Sequence, residues 1–105
     1  MLNKYIATDK PNTFLKVRVY YDKGGMNYFT SQVKRRGYYV MVTPIEKEGD
    51  FEVTRAFSGY CECVLEVPRH GLKAELAAED LAAAAGRRLV PIVAAKNNLV
   101  VTGQY

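Results

Sequence analysis

The chain has few of the residues on which enzymes rely for nucleophilic and acid–base chemistry. Its 105 residues include one histidine, His70, so the base that usually activates a serine, cysteine or threonine is scarce. Neither a G-x-S-x-G motif nor a P-loop occurs. The carboxylates of Glu75, Glu79 and Asp80 lie close together in a helix-forming segment, a pattern typical of a solvated helix face. The sequence therefore predicts a binding protein with no catalytic residues rather than an enzyme.

Cysteine is also sparse. The two cysteines, Cys61 and Cys63, are separated by Glu62 alone, and the alternation of side chains in a strand would place both on one face. A disulfide in so tight a loop would be strained, and one histidine with no further cysteine cannot complete a tetrahedral metal site. Since Leu65 and Val67 continue the same alternation, we expect two buried, reduced thiols, no metal and no cofactor.

Long hydrophobic runs are absent. The longest weakly polar stretch, residues 81–95, is interrupted by Gly86, two arginines and Pro91, and it is shorter than the roughly 20 apolar residues that a membrane span requires. The N-terminal segment contains Asp9 and no apolar run of the signal-peptide type. These absences predict a cytoplasmic protein with no membrane partner.

The first two thirds of the chain read as β-strands. Composition and length fit one folded domain over residues 1–105, with 49% hydrophobic residues. Strict alternation predicts a strand over residues 15–21, and Gly24 and Gly25 predict a hairpin turn after it. Residues 1–13 show no period and are expected to form a loosely paired leader. Further strands are predicted over residues 38–43, 51–57 and 60–67. The pairing of the first is expected to end at Pro44. In the second, Phe51, Val53 and Phe57 are expected to be half-buried.

At Gly71 the pattern changes from strand to helix, because the following residues are the strongest helix formers. Gly86 weakens this helix, and Pro91 predicts a kink or a restart. One apolar stripe, docked mainly through Leu81 and Leu89, is predicted to face the sheet: Ala74, Ala77, Ala78, Leu81, Ala85, Leu89 and Ile92. We therefore expect an α+β fold, a four- to five-stranded antiparallel sheet with one long C-terminal helix, about residues 72–96, packed on one face.

Positive charge is concentrated in one region of the sequence. No acidic residue occurs between Asp22 and Glu46, whereas Lys23, Lys34, Arg35 and Arg36 all fall there, and the other 11 basic residues equal the 11 acidic ones in number. Aromatic residues flank the basic run, and the predicted partner-binding residues are Lys34, Arg35, Arg36, Tyr28, Tyr38 and Tyr39.

Three interpretations of this basic and aromatic region stay open. Its cations could hold phosphates while rings stack on bases, or they could dock an acidic protein surface. The simplest alternative is that the tyrosines pack in the sheet and the basic run is a solvated loop. Because neighbouring strand residues point to opposite faces, we expect only one of Tyr38 and Tyr39 to be exposed and available to a partner.

Four short segments carry a resemblance to known proteins: Gly24-Gly25-Met26-Asn27-Tyr28-Phe29-Thr30, Arg36-Gly37-Tyr38-Tyr39, Thr43-Pro44 and Ala56-Phe57-Ser58-Gly59. Through them the chain resembles small uncharacterised proteins encoded on mobile elements of gut bacteria, loosely similar to metagenomic anti-CRISPR inhibitors. The resemblance implies a non-enzymatic inhibitor that binds an RNA-guided nuclease or its nucleic acid. The alternatives are a nucleic-acid-binding accessory or regulatory protein and a structural oligomerisation module.

Overall fold

The structure, a computed structural model, describes residues 3–27, 30–54 and 59–105. It is the predicted α+β architecture: a five-stranded antiparallel sheet followed by one C-terminal helix. A separate two-stranded ribbon, β3 with β4, branches from it. The strands are β1 (Asn3–Ala7), β2 (Thr13–Asp22), β3 (Gly25–Asn27), β4 (Gln32–Lys34), β5 (Gly37–Glu48), β6 (Phe51–Thr54) and β7 (Tyr60–Glu66), and the helix is α1 (Leu72–Lys96).

The central strand of the sheet is β5. One side of it pairs with β2, which pairs in turn with β1. The other side pairs with β7 as far as Val42 and with β6 from Ile45 onwards. Pro44 lies in the interval between those two partners, a position where the missing N–H of a proline is tolerated. The prediction that pairing ends at Pro44 is therefore wrong, since β2 stays paired with β5 past this residue.

The N-terminal segment is a paired strand rather than a loose leader. Asn3 to Ala7 pair with Arg18 to Phe14, and Ile6 is fully buried in the core. The C-terminal residues hold the far end of β1, because the Thr102 N–H donates to the Ala7 carbonyl at 3.0 Å. Sequence periodicity missed β1 because Ile6 is its one buried apolar side chain.

The turn after β2 leads into the ribbon and not into a strand of the main sheet. Gly24 has a φ of +72°, and a Cβ there would lie 2.6 Å from the Lys34 carbonyl oxygen, so the ribbon leaves the sheet through a backbone contact that only glycine permits. In the main sheet, β2 pairs with β1 and with β5, and β5 follows the ribbon in sequence.

Helix α1 has the predicted bounds and packs on one face of the sheet, where it contacts β2, β5 and β7. Leu89 is buried as predicted, but Leu81 is 45% exposed, so its assignment to the docking face is wrong. The buried stripe runs one position later in the first half of the helix, about 100° around its axis. It consists of Ala78, Ala82, Ala85, Gly86, Leu89, Val90, Val93 and Ala94.

The predictions for Gly86 and Pro91 in the helix have different outcomes. No restart occurs at Pro91, because α1 runs unbroken to Lys96 with buried side chains on both sides of the proline. Gly86 has a packing role, since a Cβ there would lie 2.5 Å from the ring of Tyr105. The Tyr105 hydroxyl donates to the Ala82 carbonyl at 3.4 Å, so the C-terminus is packed against the middle of the helix.

Strand β6 lies outside the area that the helix covers. All four of its residues are exposed, including Phe51 at 76% and Val53 at 39%. The expectation of a half-buried strand at Phe51 and Val53 is therefore wrong, and Phe57 lies outside the described residues.

Candidate functional site

Lys34 lies at the root of the ribbon and is engaged by its neighbours. Its ammonium is 2.9 Å from the Asp22 carboxylate and 4.5 Å from the centre of the Tyr39 ring. Partial burial alone would lower the pKa of Lys34, but the Asp22 carboxylate and the Tyr20 hydroxyl hold it above its ordinary value. Lys34 is therefore a permanent cation that already has one carboxylate partner.

The two arginines that follow are also tied to the protein. Arg35 pairs with Glu66 at 3.3 Å, although its side chain is 71% exposed, and the Arg36 Nε donates to the Lys23 carbonyl at 2.9 Å. Both contacts fasten the ribbon to the main sheet. An exposed pair such as Arg35 with Glu66 can open at small cost when a stronger anion binds.

The predicted aromatic contacts are not available as exposed rings. Tyr38 is fully buried, and Tyr39 is 6% exposed, so the expectation that one of them is exposed is wrong. The Tyr38 hydroxyl lies 2.7 Å from Nδ1 of His70, on the side of the sheet that carries the helix. Tyr39 points the other way but is covered, because Tyr20 stacks on its ring at 5.8 Å. Tyr28 lies outside the described residues.

The predicted site does not include the open face, which is the surface of the main sheet opposite α1. Cations and rings alternate across it. The Lys47 ammonium lies 4.4 Å from the centre of the Tyr5 ring, and Lys16 lies over the same ring at 5.5 Å. The Arg18 guanidinium lies 5.4 Å from the Tyr20 ring, where Lys34 also lies. Each contact is within the range of cation–π attraction.

The cations of the open face differ in whether a carboxylate already holds them. Lys16 pairs with Glu52 at 2.8 Å, and this contact raises the pKa of Lys16 and lowers that of Glu52. Arg18 and Lys47 have no ion-pair partner in the described part of the chain. Arg18 can therefore bind an incoming anion without first releasing a carboxylate, whereas Lys47 lies opposite Glu52 in the sheet and contributes to the lowered pKa of that carboxyl.

A signal for this face was present in the sequence. Lys16, Arg18 and Tyr20 are the outward-pointing residues of β2, alternating with its buried leucine and valines. These residues lie close to the ribbon root only because β2 pairs with β5, which places Tyr20 opposite Tyr39 and Arg18 opposite Met41. Local sequence cannot supply that register.

The cysteines lie on the open face, which contradicts the expectation that both are buried. Cys61 is exposed and Cys63 half-buried; the β7 residue that packs against the helix side is Val64. The Cys61 sulfur lies 3.1 Å from the Tyr20 hydroxyl, and burial together with this contact raises the pKa of Tyr20 to about 12. Within residues 3–27, 30–54 and 59–105, no three side chains are grouped as metal ligands.

Comparison with family models, curated proteins and solved structures finds no match to this chain. Across the described residues, no helix is both long and apolar enough to cross a membrane.

Proposed function

We propose that the chain is a non-enzymatic binding protein whose open face binds single-stranded nucleic acid. The observation that carries the proposal is the alternation of cations and aromatic rings across the one sheet face that the helix leaves uncovered. Proteins that bind single strands combine a basic surface for the phosphates with rings on which bases stack. Both elements occur here within one surface.

The cations would act on the phosphates. Arg18 and Lys47 form no ion pair among the described residues, and Lys34 and Arg35, each paired with one carboxylate, lie at the ribbon root. Each phosphate contact would release counterions, so affinity would fall steeply as salt rises. The rings would act on the bases: Tyr5 is 37% exposed, and Tyr20 and Phe14 are half-buried at the same face.

An acidic protein surface is a weaker match to this geometry. Specific protein interfaces have a desolvated core depleted of charged residues. On the open face, charged groups lie among the rings rather than around them, which suits a chain of regularly spaced phosphates better than an apolar protein surface.

Inhibition of an RNA-guided nuclease and an origin on a mobile element stay predictions of the resemblance, and a place in the cytoplasm stays a prediction from the sequence. The open face would serve that role by competing for guide RNA or for a displaced DNA strand. A cleavage assay with purified effector complexes tests it: inhibition relieved by excess single-stranded competitor is the expected result, and inhibition unaffected by competitor would indicate a protein interface.

Binding itself is tested by fluorescence anisotropy with a labelled single-stranded oligonucleotide of about 12 nucleotides, a length within the usual site sizes. R18A/K47A should weaken binding about tenfold or more and reduce the slope of log K against log salt by about 1.4, since two phosphate contacts are lost. The matched control, K10A/K73A, removes equal charge from exposed positions away from this face and should change affinity little.

A third variant compares the sequence-predicted cluster with the open face. K34A/R35A/R36A should reduce affinity as well, because Lys34 borders Tyr20 and Tyr39 at the edge of the open face. Equal losses in R18A/K47A and K10A/K73A would show that binding follows net charge and not this surface. Absence of binding in the unaltered protein at low salt would overturn the proposal.

A further inference from the structure

The open face contains a groove of about 330 Å³. The groove lies where the partner of β5 changes from β7 to β6. The pairing of β7 with β5 stops at Val42, and that of β6 begins at Ile45. The interval leaves a notch beside Thr43. Gly59 borders the notch, and a Cβ at that position would lie 3.1 Å from the Val42 carbonyl oxygen and 3.3 Å from the Thr43 hydroxyl oxygen, so a larger residue would crowd it.

The walls of the groove differ in chemistry. Its apolar part is formed by Met41 and by Ile45, which is 1% exposed. Thr43 and Thr54 also line it, together with two cations: Lys16, which Glu52 already holds, and Arg18, which has no ion-pair partner in the described residues. A ligand that matches these walls has a flat, largely apolar body with polar edges and carries one negative charge.

We infer that this groove holds one nucleotide of the bound strand, with its base against Met41 and its phosphate beside Arg18. The inference rests on the proposed function and adds to it a specific subsite. The volume lies at the low end of the range for ligand pockets, which suits a single nucleotide rather than a longer segment. The threonine hydroxyls would then read the edge of the base, since each can donate and accept.

Cys61 offers a direct reporter, because this exposed thiol lines the groove. In the C63S protein, alkylation of Cys61 by iodoacetamide is followed with and without the 12-nucleotide probe used for anisotropy. At about ten times the Kd of the probe, only about one site in ten is free, so alkylation should slow about tenfold. In the C61S protein, Cys63 lies outside the groove lining and should be protected much less.

A groove-filling variant gives a second, independent measurement. Thr54→Phe would place a ring in the groove and should weaken probe binding about tenfold, the equivalent of losing one stacked base. The matched control is Val53→Phe, the adjacent exposed residue of β6, which is absent from the groove lining. Circular dichroism and thermal unfolding check that both variants keep the fold.

The outcomes separate this inference from the proposed function. Slowed alkylation of Cys61 together with weakened binding of the T54F protein supports the nucleotide subsite. Tight binding with Cys61 unprotected, or with equal protection of Cys63 and no effect of T54F, would overturn the subsite and leave the open face as a binding surface. A protein that does not bind the probe at all would overturn both.

Discussion

The two faces of the main sheet are built from the same strands but carry different kinds of side chain. On the helix side, β2 presents Leu15, Val17 and Val19, all essentially inaccessible to solvent. On the open face the same strand presents Lys16, Arg18 and Tyr20. Period-two alternation therefore divides one strand between the core and the uncovered surface on which the proposed binding site lies.

The comparison is sharpest at the helix, where two leucines of the same predicted stripe have opposite environments. Leu89→Ala should lower the free energy of unfolding by about 2 to 5 kcal/mol, because it removes a buried side chain from the core. Leu81→Ala should cost less than about 1 kcal/mol, since Leu81 is 45% exposed. Urea unfolding monitored by circular dichroism measures both, and equal losses would contradict the assignment of the buried face.

The sequence was sufficient for the helix and for the strands with strict alternation. The bounds of α1 and the buried set of β2 follow from local composition and period. The helix stripe was misplaced because alanine is compatible with either face: Ala77 and Ala78 fit neighbouring stripes equally well, and only packing against the sheet selects Ala78.

The site was harder to predict because it depends on strand register. The alternation predicts that one of Tyr38 and Tyr39 is accessible. Tyr39 is covered instead, by Lys34 and by Tyr20, which lies opposite it only because β2 pairs with β5. Cys61 and Cys63 were correctly placed on one face but assigned to the wrong one, since β7 carries apolar residues on both sides. The pairing of Cys61 with Met41 and of Cys63 with Tyr39 sets them on the open face.

A second test on the helix side concerns Gly86, against which the ring of Tyr105 packs. Replacing an exposed helix glycine by alanine ordinarily stabilises by up to about 1 kcal/mol. Here Gly86→Ala should be destabilising, because the new Cβ meets the Tyr105 ring at 2.5 Å. In the Y105A background the same substitution should become neutral or favourable.

A double-mutant cycle of G86A and Y105A therefore should give a coupling energy of about 0.5 to 3 kcal/mol, as expected for residues in direct contact. Thermal unfolding of the four proteins provides the measurement. Additive effects would show that the Tyr105 ring does not rest on the helix.

The smallest expected effect belongs to the open face, at the pair formed by Asp22 and Lys34. Lys34, and after it the Gly24 N–H, lower the pKa of Asp22 in the folded protein from its ordinary 3.8. A carboxyl with a depressed folded pKa stabilises the protein above its unfolded pKa, and this contribution is lost as pH falls through the folded value. Because Lys34 is 43% exposed, the contribution should be at most about 1 kcal/mol.

Asp22→Asn isolates this contribution, since the amide oxygen can still accept from the Gly24 N–H at the position where the carboxylate does, 2.8 Å away. Above about pH 5 the variant should be less stable than the unaltered protein by that small amount, and the difference should vanish as pH falls below the depressed pKa of Asp22. Asp80→Asn removes the same charge from an exposed helix position and should not reproduce the convergence. Urea unfolding across the acid range measures all three proteins. A pH-independent gap between the D22N and unaltered proteins would contradict this prediction, because it would show that the charge of Asp22 does not stabilise the fold through Lys34.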